Sequence, residues 1–161
     1  MSVAERTHLI GLISDTHGLV RPSVFDALAG VQLILHAGDV GGRDVLVELE
    51  AIAPVLAVFG NTDEPDHPGL ETERVHTVGG VSIHVSHGHE LGRPTPAALL
   101  AAYPQDVLVY GHTHRQLITR AEGRLVVNPG AAGPRRFDLV PSVARLTIRD
   151  GAPDVELVPL T

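Results

Sequence analysis

The sequence predicts an α/β fold in which parallel strands come first and antiparallel strands follow. Up to residue 59, short apolar runs alternate with stretches of helical spacing, an order that implies a parallel sheet with right-handed crossovers. From Glu73 onward, apolar runs flank Gly79-Gly80, Glu122-Gly123 and Asp150-Gly151, which read as hairpin turns. A chain of 161 residues with 43% hydrophobic content suits one domain, residues 1–161. Aromatics are only 3%, so its core must be aliphatic.

Taken in order, Leu9 to Ile13 is the first buried strand, and Ser14-Asp15-Thr16-His17-Gly18 is the loop at its carboxyl end. Pro22 suits the first turn of a helix from Ser23 to Ala29, and Gly30 stops it. Leu33 to Leu35 is the second strand and leads to Gly38-Asp39. Gly41-Gly42 allows a tight turn before a helix from about Asp44 to Ala51, in which Val45, Leu49 and Ile52 follow helical spacing until Pro54. Val55 to Phe59 is the third strand, ending at Gly60-Asn61. Residues 62–70 read as the most irregular loop, either bordering the expected site or a plain surface loop. Arg74 to Val78 and Val81 to Ser86 form a hairpin, with Val81, Ile83 and Val85 on one face. Thr95-Pro96 caps and starts a helix through Ala102, and Val107 to Tyr110 is a further strand. Leu117 to Ala121 with Leu125 to Val127, and Val143 to Ile148 with Val155 to Val158, are two more hairpins.

Composition narrows the function. No cysteine is present, so disulfides and thiolate ligands are excluded and imidazole, carboxylate and amide remain as metal ligands. The formal charge of −7 argues against a broad basic face for long nucleic acid. Part of that acidity could await cations, and the rest suits a solvated surface. Residues 1–7 hold no apolar leader and no apolar run approaches a membrane span, so a cytoplasmic location is expected. An exposed hairpin edge leaves a homo-oligomer open.

The chemistry lies at the ends of the strands. Residues two apart in extended chain point the same way, so Asp15 and His17 can converge on one metal ion. A lone Asp-x-His is a weak signal. Here it is followed by His36-Ala37-Gly38-Asp39, Phe59-Gly60-Asn61-Thr62-Asp63, Ser86-His87-Gly88-His89 and Tyr110-Gly111-His112-Thr113-His114, each closing an apolar run.

This order of motifs, from Leu9 to about Arg136, resembles the calcineurin-like metallophosphoesterase superfamily, and within it the small bacterial and archaeal phosphodiesterase branch. The resemblance implies a four-layer α/β/β/α sandwich with mixed parallel and antiparallel sheets and a two-metal centre at the strand ends. It implies that Asp15, His17, Asp39 and His114 hold one divalent ion, and Asp39, Asn61, His87 and His112 the other, with Asp39 bridging. Mn is favoured; Fe, Ni, Co or Zn also suit such ligands. A shared hydroxide would then attack a small phosphodiester or nucleotide-sized substrate in line. Many relatives carry histidine where Thr62 stands, and a threonine cannot donate a proton near neutral pH. Either the leaving group is a good one or another residue donates the proton, and His89 is the candidate general acid, beside Asp39 and Asn61 as catalytic residues. Asp63 is expected to orient a ligand histidine, and Asn128-Pro129-Gly130-Ala131 to be a structural turn beside the site. Arg135 and Arg136 receive no role. His8, His67, His76 and His84 read as surface or satisfied side chains, and His36 as either a core residue or a contact behind the site.

Two other functions fit the same fold. One is a non-catalytic, metal-binding module for protein interaction, as in a eukaryotic trafficking subunit that lacks the full ligand set. The other is a nucleotide phosphatase. The complete ligand set favours the enzyme, a metal-dependent phosphodiesterase.

Overall fold

The computed structural model describes residues 6–64, 70–136 and 138–161. The expected loop 62–70 falls partly outside them, and His67 lies wholly outside.

Apolar residues at alternate positions give the strands two buried faces, and that alternation builds the layers. Strand β1 (Thr7–Ile13) sends Ile10 and Leu12 to one side and Leu9 and Ile13 to the other. It pairs in parallel with β2 (Leu33–His36), which pairs in parallel with β3 (Val55–Val58), and a two-residue strand β4 (Leu70–Glu71) follows in parallel. The last hairpin, β10 (Ser142–Arg149) with β11 (Ala152–Pro159), closes this sheet by laying β10 antiparallel to β1. The order is β11-β10-β1-β2-β3-β4.

The second sheet has the order β5-β6-β7-β9-β8, from β5 (Glu73–Val78), β6 (Val81–Ser86), β7 (Val107–Val109), β8 (Leu117–Ala121) and β9 (Arg124–Asn128). The hairpins β5-β6 and β8-β9 form as expected, but β6, β7 and β9 run parallel to one another. The second half of the chain is thus mixed rather than simply antiparallel. Hairpin turns announce local pairing, whereas β7 is inserted by long-range contacts that no turn residue marks.

The main core lies between the sheets, where Ile10, Leu12, Leu35 and Leu146 meet Ile83, Val85, Val109 and Leu125. Outside the first sheet, α1 (Ser23–Ala27) and α2 (Arg43–Glu50) bury Val24, Val45 and Leu49 with Ile13 and Ile34. Outside the second, α3 (Pro96–Ala102) buries Leu99 against Leu108 and Val126. These are the four layers α/β/β/α. Helix α1 ends at Ala27, two residues before the expected Ala29, and Arg145 of β10 donates to the carbonyls of Ala27 and Ala29 at 2.9 and 2.8 Å. No helix among the described residues is long and apolar enough to cross a membrane.

Candidate metal centre

Both sheets present the carboxyl ends of parallel strands at one rim, and the ligand-type residues occupy the loops there. After β1 and β2 the backbone ladder continues past the strands: Asp15, His17 and Gly18 donate their N–H groups to the carbonyls of Gly38, Asp39 and Val40, each at 2.9 Å. That extension holds Asp15 and His17 beside Asp39. The first sheet also supplies Asn61 after β3, and the second supplies His87 after β6 and His112 and His114 after β7. All the expected ligands come together.

The close approach of the loops depends on glycine. A Cβ at Gly60 would fall on the Asp39 carboxylate, and one at Gly111 would meet the Ser14 hydroxyl and the Asp15 carboxylate.

Asp15 is fully buried and uses its two oxygens differently. Oδ2 accepts from the Ser14 hydroxyl at 2.6 Å and the His112 N–H at 3.2 Å. Oδ1 has no hydrogen-bond partner among the described residues and lies 3.3 Å from His114 Nε2 and 3.8 Å from His17 Nε2, itself buried and without a partner. Burial alone would raise the Asp15 carboxyl. The imidazoles of His114 and His17, the charge on His87 and the Ser14 hydroxyl outweigh it and hold the group well below the ordinary carboxylate range.

Asp39 is also divided. Thr62 donates to its Oδ1 from the backbone N–H at 2.9 Å and from the hydroxyl at 2.7 Å. Its Oδ2 faces His87 Nε2 at 3.3 Å and His17 Nε2 at 3.7 Å. Burial raises this carboxyl too, but His87 and the Thr62 donors bring it down to about 2.

His87 shows what kind of charge the cluster suits. Its Nδ1 donates to the Ala37 carbonyl at 2.8 Å, which leaves Nε2 of the neutral ring a lone pair. That lone pair points at further acceptors: Asn61 Oδ1 at 3.0 Å, Asp39 Oδ2 at 3.3 Å and Asp15 Oδ1 at 3.9 Å. His112 Nδ1 approaches the same Asn61 oxygen at 3.1 Å. Lone pairs converging on lone pairs require a positive charge between them, either a proton on the imidazole or a metal cation. Without a cation the proton serves: burial would lower His87, but the Asp39 and Asp15 carboxylates raise it above its ordinary value. His112, pressed by burial and by His87, is lowered. The residues fit divalent metal. Ligand atoms of Asp15, His17 and His114 lie within 4.8 Å of one another, as do those of Asp15, Asp39 and His87.

The supporting residues depart from expectation in two ways. Asp63 does not touch a ligand histidine. Its carboxylate accepts the backbone N–H groups of Gly60 at 2.9 Å, Val40 at 3.0 Å and Gly41 at 3.1 Å, tying the loops after β2 and β3 together. His36 is fully buried behind the site. It accepts the Gly38 N–H on Nδ1 at 3.1 Å and so donates from Nε2 to the Thr16 hydroxyl at 2.9 Å, which in turn donates to the Val40 carbonyl. Burial pushes its pKa down to about 4.

His89 opens a 3₁₀ turn, His89–Leu91, with its ring centroid 5.3 Å from His87 and 6.3 Å from His112. Its Nδ1 is buried without a partner among the described residues. Residues 128–133 form the expected structural turn. Asn128 donates to the Gly111 carbonyl and the Thr113 hydroxyl, while Ala132 and Gly133 donate to the carbonyls of Ser14 and Asp15. Arg135 and Arg136 are exposed and line a small cleft with His114. His84 is buried rather than on the surface, stacked on Tyr103 and bonded through Nε2 to Glu73 at 2.6 Å, while its Nδ1 is buried without a partner among the described residues. A groove of 550 Å³ along β10 and β11 contains none of the cluster's residues.

Sequence reasoning missed Ser14 and saw in Thr62 only an absent acid. Adjacency to Asp15 was the sole signal for the first, and nothing local marks the second.

The model of the calcineurin-like phosphoesterase superfamily domain matches residues 9–151. A probable metallophosphoesterase of Methanothermobacter thermautotrophicus is 40% identical over 93% of this chain and 91% of its own. A phosphodiesterase of Methanocaldococcus jannaschii is 27% identical over 75% of this chain and 82% of its own. Among solved structures, Vps29 of Entamoeba histolytica complexed with Zn²⁺ superposes with a TM-score of 0.75 at 29% identity, covering 94% of this chain and 98% of that one.

Proposed function

The chain belongs to the calcineurin-like phosphoesterase superfamily, and from that premise we propose that it is a metal-dependent phosphodiesterase of small, nucleotide-sized diesters in the cytoplasm. The observation that carries the reading is the convergence of lone pairs around His87 Nε2, which a cation would resolve. Asp15, His17, Asp39 and His114 would hold one divalent ion and Asp39, Asn61, His87 and His112 the other, with Mn²⁺ favoured. Bound there, the pair would supply an acidified water and neutralise charge on the phosphoryl oxygens.

The chain's own residues have separate tasks. Asp15 and Asp39 are ionised throughout the neutral range, so they offer charge without first losing a proton. The Ala37 carbonyl fixes the His87 tautomer and aims Nε2 inward. Asn61 adds a neutral oxygen at an exposed position, where a substrate oxygen can approach. His89 stands beside the His87 and His112 rings, and its role in this reading is to carry the proton needed by the departing alkoxide.

A second reading, a module that binds protein without catalysis, draws support from the likeness to Vps29. Mutation separates the two. Asp39→Asn and His112→Ala are expected to lose at least about 100-fold of diester turnover, as loss of metal-site groups does, while remaining folded by circular dichroism. Full metal-dependent turnover in either variant would remove the proposed centre.

A further inference from the structure

The Thr62 hydroxyl is already committed. The proton on Oγ1 goes to Asp39 Oδ1 at 2.7 Å, and the Thr62 N–H goes to the same oxygen at 2.9 Å. Two donors on one carboxylate oxygen use the lone pairs it would otherwise offer a cation. The other oxygen, Oδ2, is left facing His87 and His17 at 3.3 and 3.7 Å, between the two groups of ligands.

The loop is built to hold this contact. Asp63 binds the N–H groups of Val40 and Gly41 on the Asp39 side and of Gly60 on the Thr62 side, so the two loops move as one. Gly60 has no Cβ to push the Asp39 carboxylate away. Threonine is β-branched, which restricts the rotamer that carries its hydroxyl. A histidine at this position would keep the backbone donor but have no hydroxyl at Cβ.

We infer that Thr62 is a positioning residue that clamps Oδ1 of Asp39 and thereby leaves Oδ2 as the oxygen that would be offered to the divalent ions. This rests on the proposed dimetal reading, but it can be tested without turnover. The position is exposed, so substitution there leaves the core untouched.

The experiment is calorimetric titration of Mn²⁺ into the metal-stripped protein and into Thr62→Val and Thr62→Ser, with thermal unfolding of each metal-free chain as a control. Valine keeps the shape and removes the hydroxyl; serine keeps the hydroxyl and removes the methyl. Thr62→Val is expected to bind at least one ion about 10–100-fold more weakly, the usual effect of removing a hydrogen bond to a ligand, and Thr62→Ser to return close to the parent affinity. Parent affinity in Thr62→Val, or equal weakening in both variants, would overturn the clamp. If the parent binds two ions but cleaves no diester, the phosphodiesterase reading fails while the clamp is still judged by the titration. If the parent binds none, both fall.

Discussion

Asp15, His17, Asp39, His112 and His114 all have positive φ, between 46° and 70°, although none is glycine. Such backbone costs on the order of 1 kcal/mol or more per residue and persists only where the surroundings enforce it. Here it turns each side chain from the strand direction toward one point. The other non-glycine residues of this kind among the described residues, Glu122 and Asp150, sit in hairpin turns, where the turn itself demands it. In the proposed function His89 carries the proton for the leaving group, because the Thr62 hydroxyl is committed to Asp39. In a series of aryl and alkyl diesters, His89→Asn is expected to slow turnover little for acidic leaving groups and progressively more for basic ones, steepening the leaving-group plot. Parallel plots for the two proteins would take the acid role from His89. The candidate ligands were legible because Asp-x-His, Gly-Asp, Gly-Asn and Gly-His-x-His are local patterns. The contacts of Asp63, Thr62 and His36 were not, since each crosses from one loop to another and is decided by packing rather than by neighbours in sequence.

The elements that matter most are the loops that continue the β1-β2 ladder, and His36 is their internal brace. It is held neutral: its pKa lies near 4 in the folded chain against 6.5 when solvated. The unfolded chain therefore binds the extra proton between those values, and stability should fall as pH drops from 6.5 toward 4. The shift corresponds to roughly 3 kcal/mol in all. His112, also lowered, adds to the same slope just below 6.5. His87 acts above 6.5 with the opposite sign, since its folded pKa is raised, and Asp15 and Asp39 withdraw further stability only below 3.8. Urea unfolding of metal-free protein across pH 4 to 6.5 should show the slope, and His36→Gln should flatten it. A pH-independent midpoint, or an imidazolium at His36 in nitrogen NMR at pH 5.5, would contradict the buried neutral brace. At this scale the strands and helices themselves were readable from apolar period and turn residues, as Val81, Ile83 and Val85 illustrate. Strand β4 was not, because two residues have no period, and neither was the parallel insertion of β7 or the return of β10 to β1. Those pairings close over long stretches of chain and leave no local mark.

Across the whole molecule the candidate centre spans both sheets. Asp15, His17, Asp39 and Asn61 come from the first and His87, His112 and His114 from the second. Cations held there would tie the two halves of the sandwich together at the rim, above the aliphatic core formed by Leu12, Leu35, Val85 and Val109. The formal charge of −7 is partly explained in this way, since buried carboxylates that stay ionised need a counter-charge. On the proposed reading it also favours a small diester over a long polyanion, which would meet a repelling surface. The most direct test is hydrolysis of an aryl phosphodiester by metal-stripped protein before and after addition of Mn²⁺, with bound metal counted in the same samples. Turnover that appears only with metal and saturates at two ions per chain is the predicted result. Two bound ions with no cleavage of any diester, or cleavage that persists without metal, would contradict it.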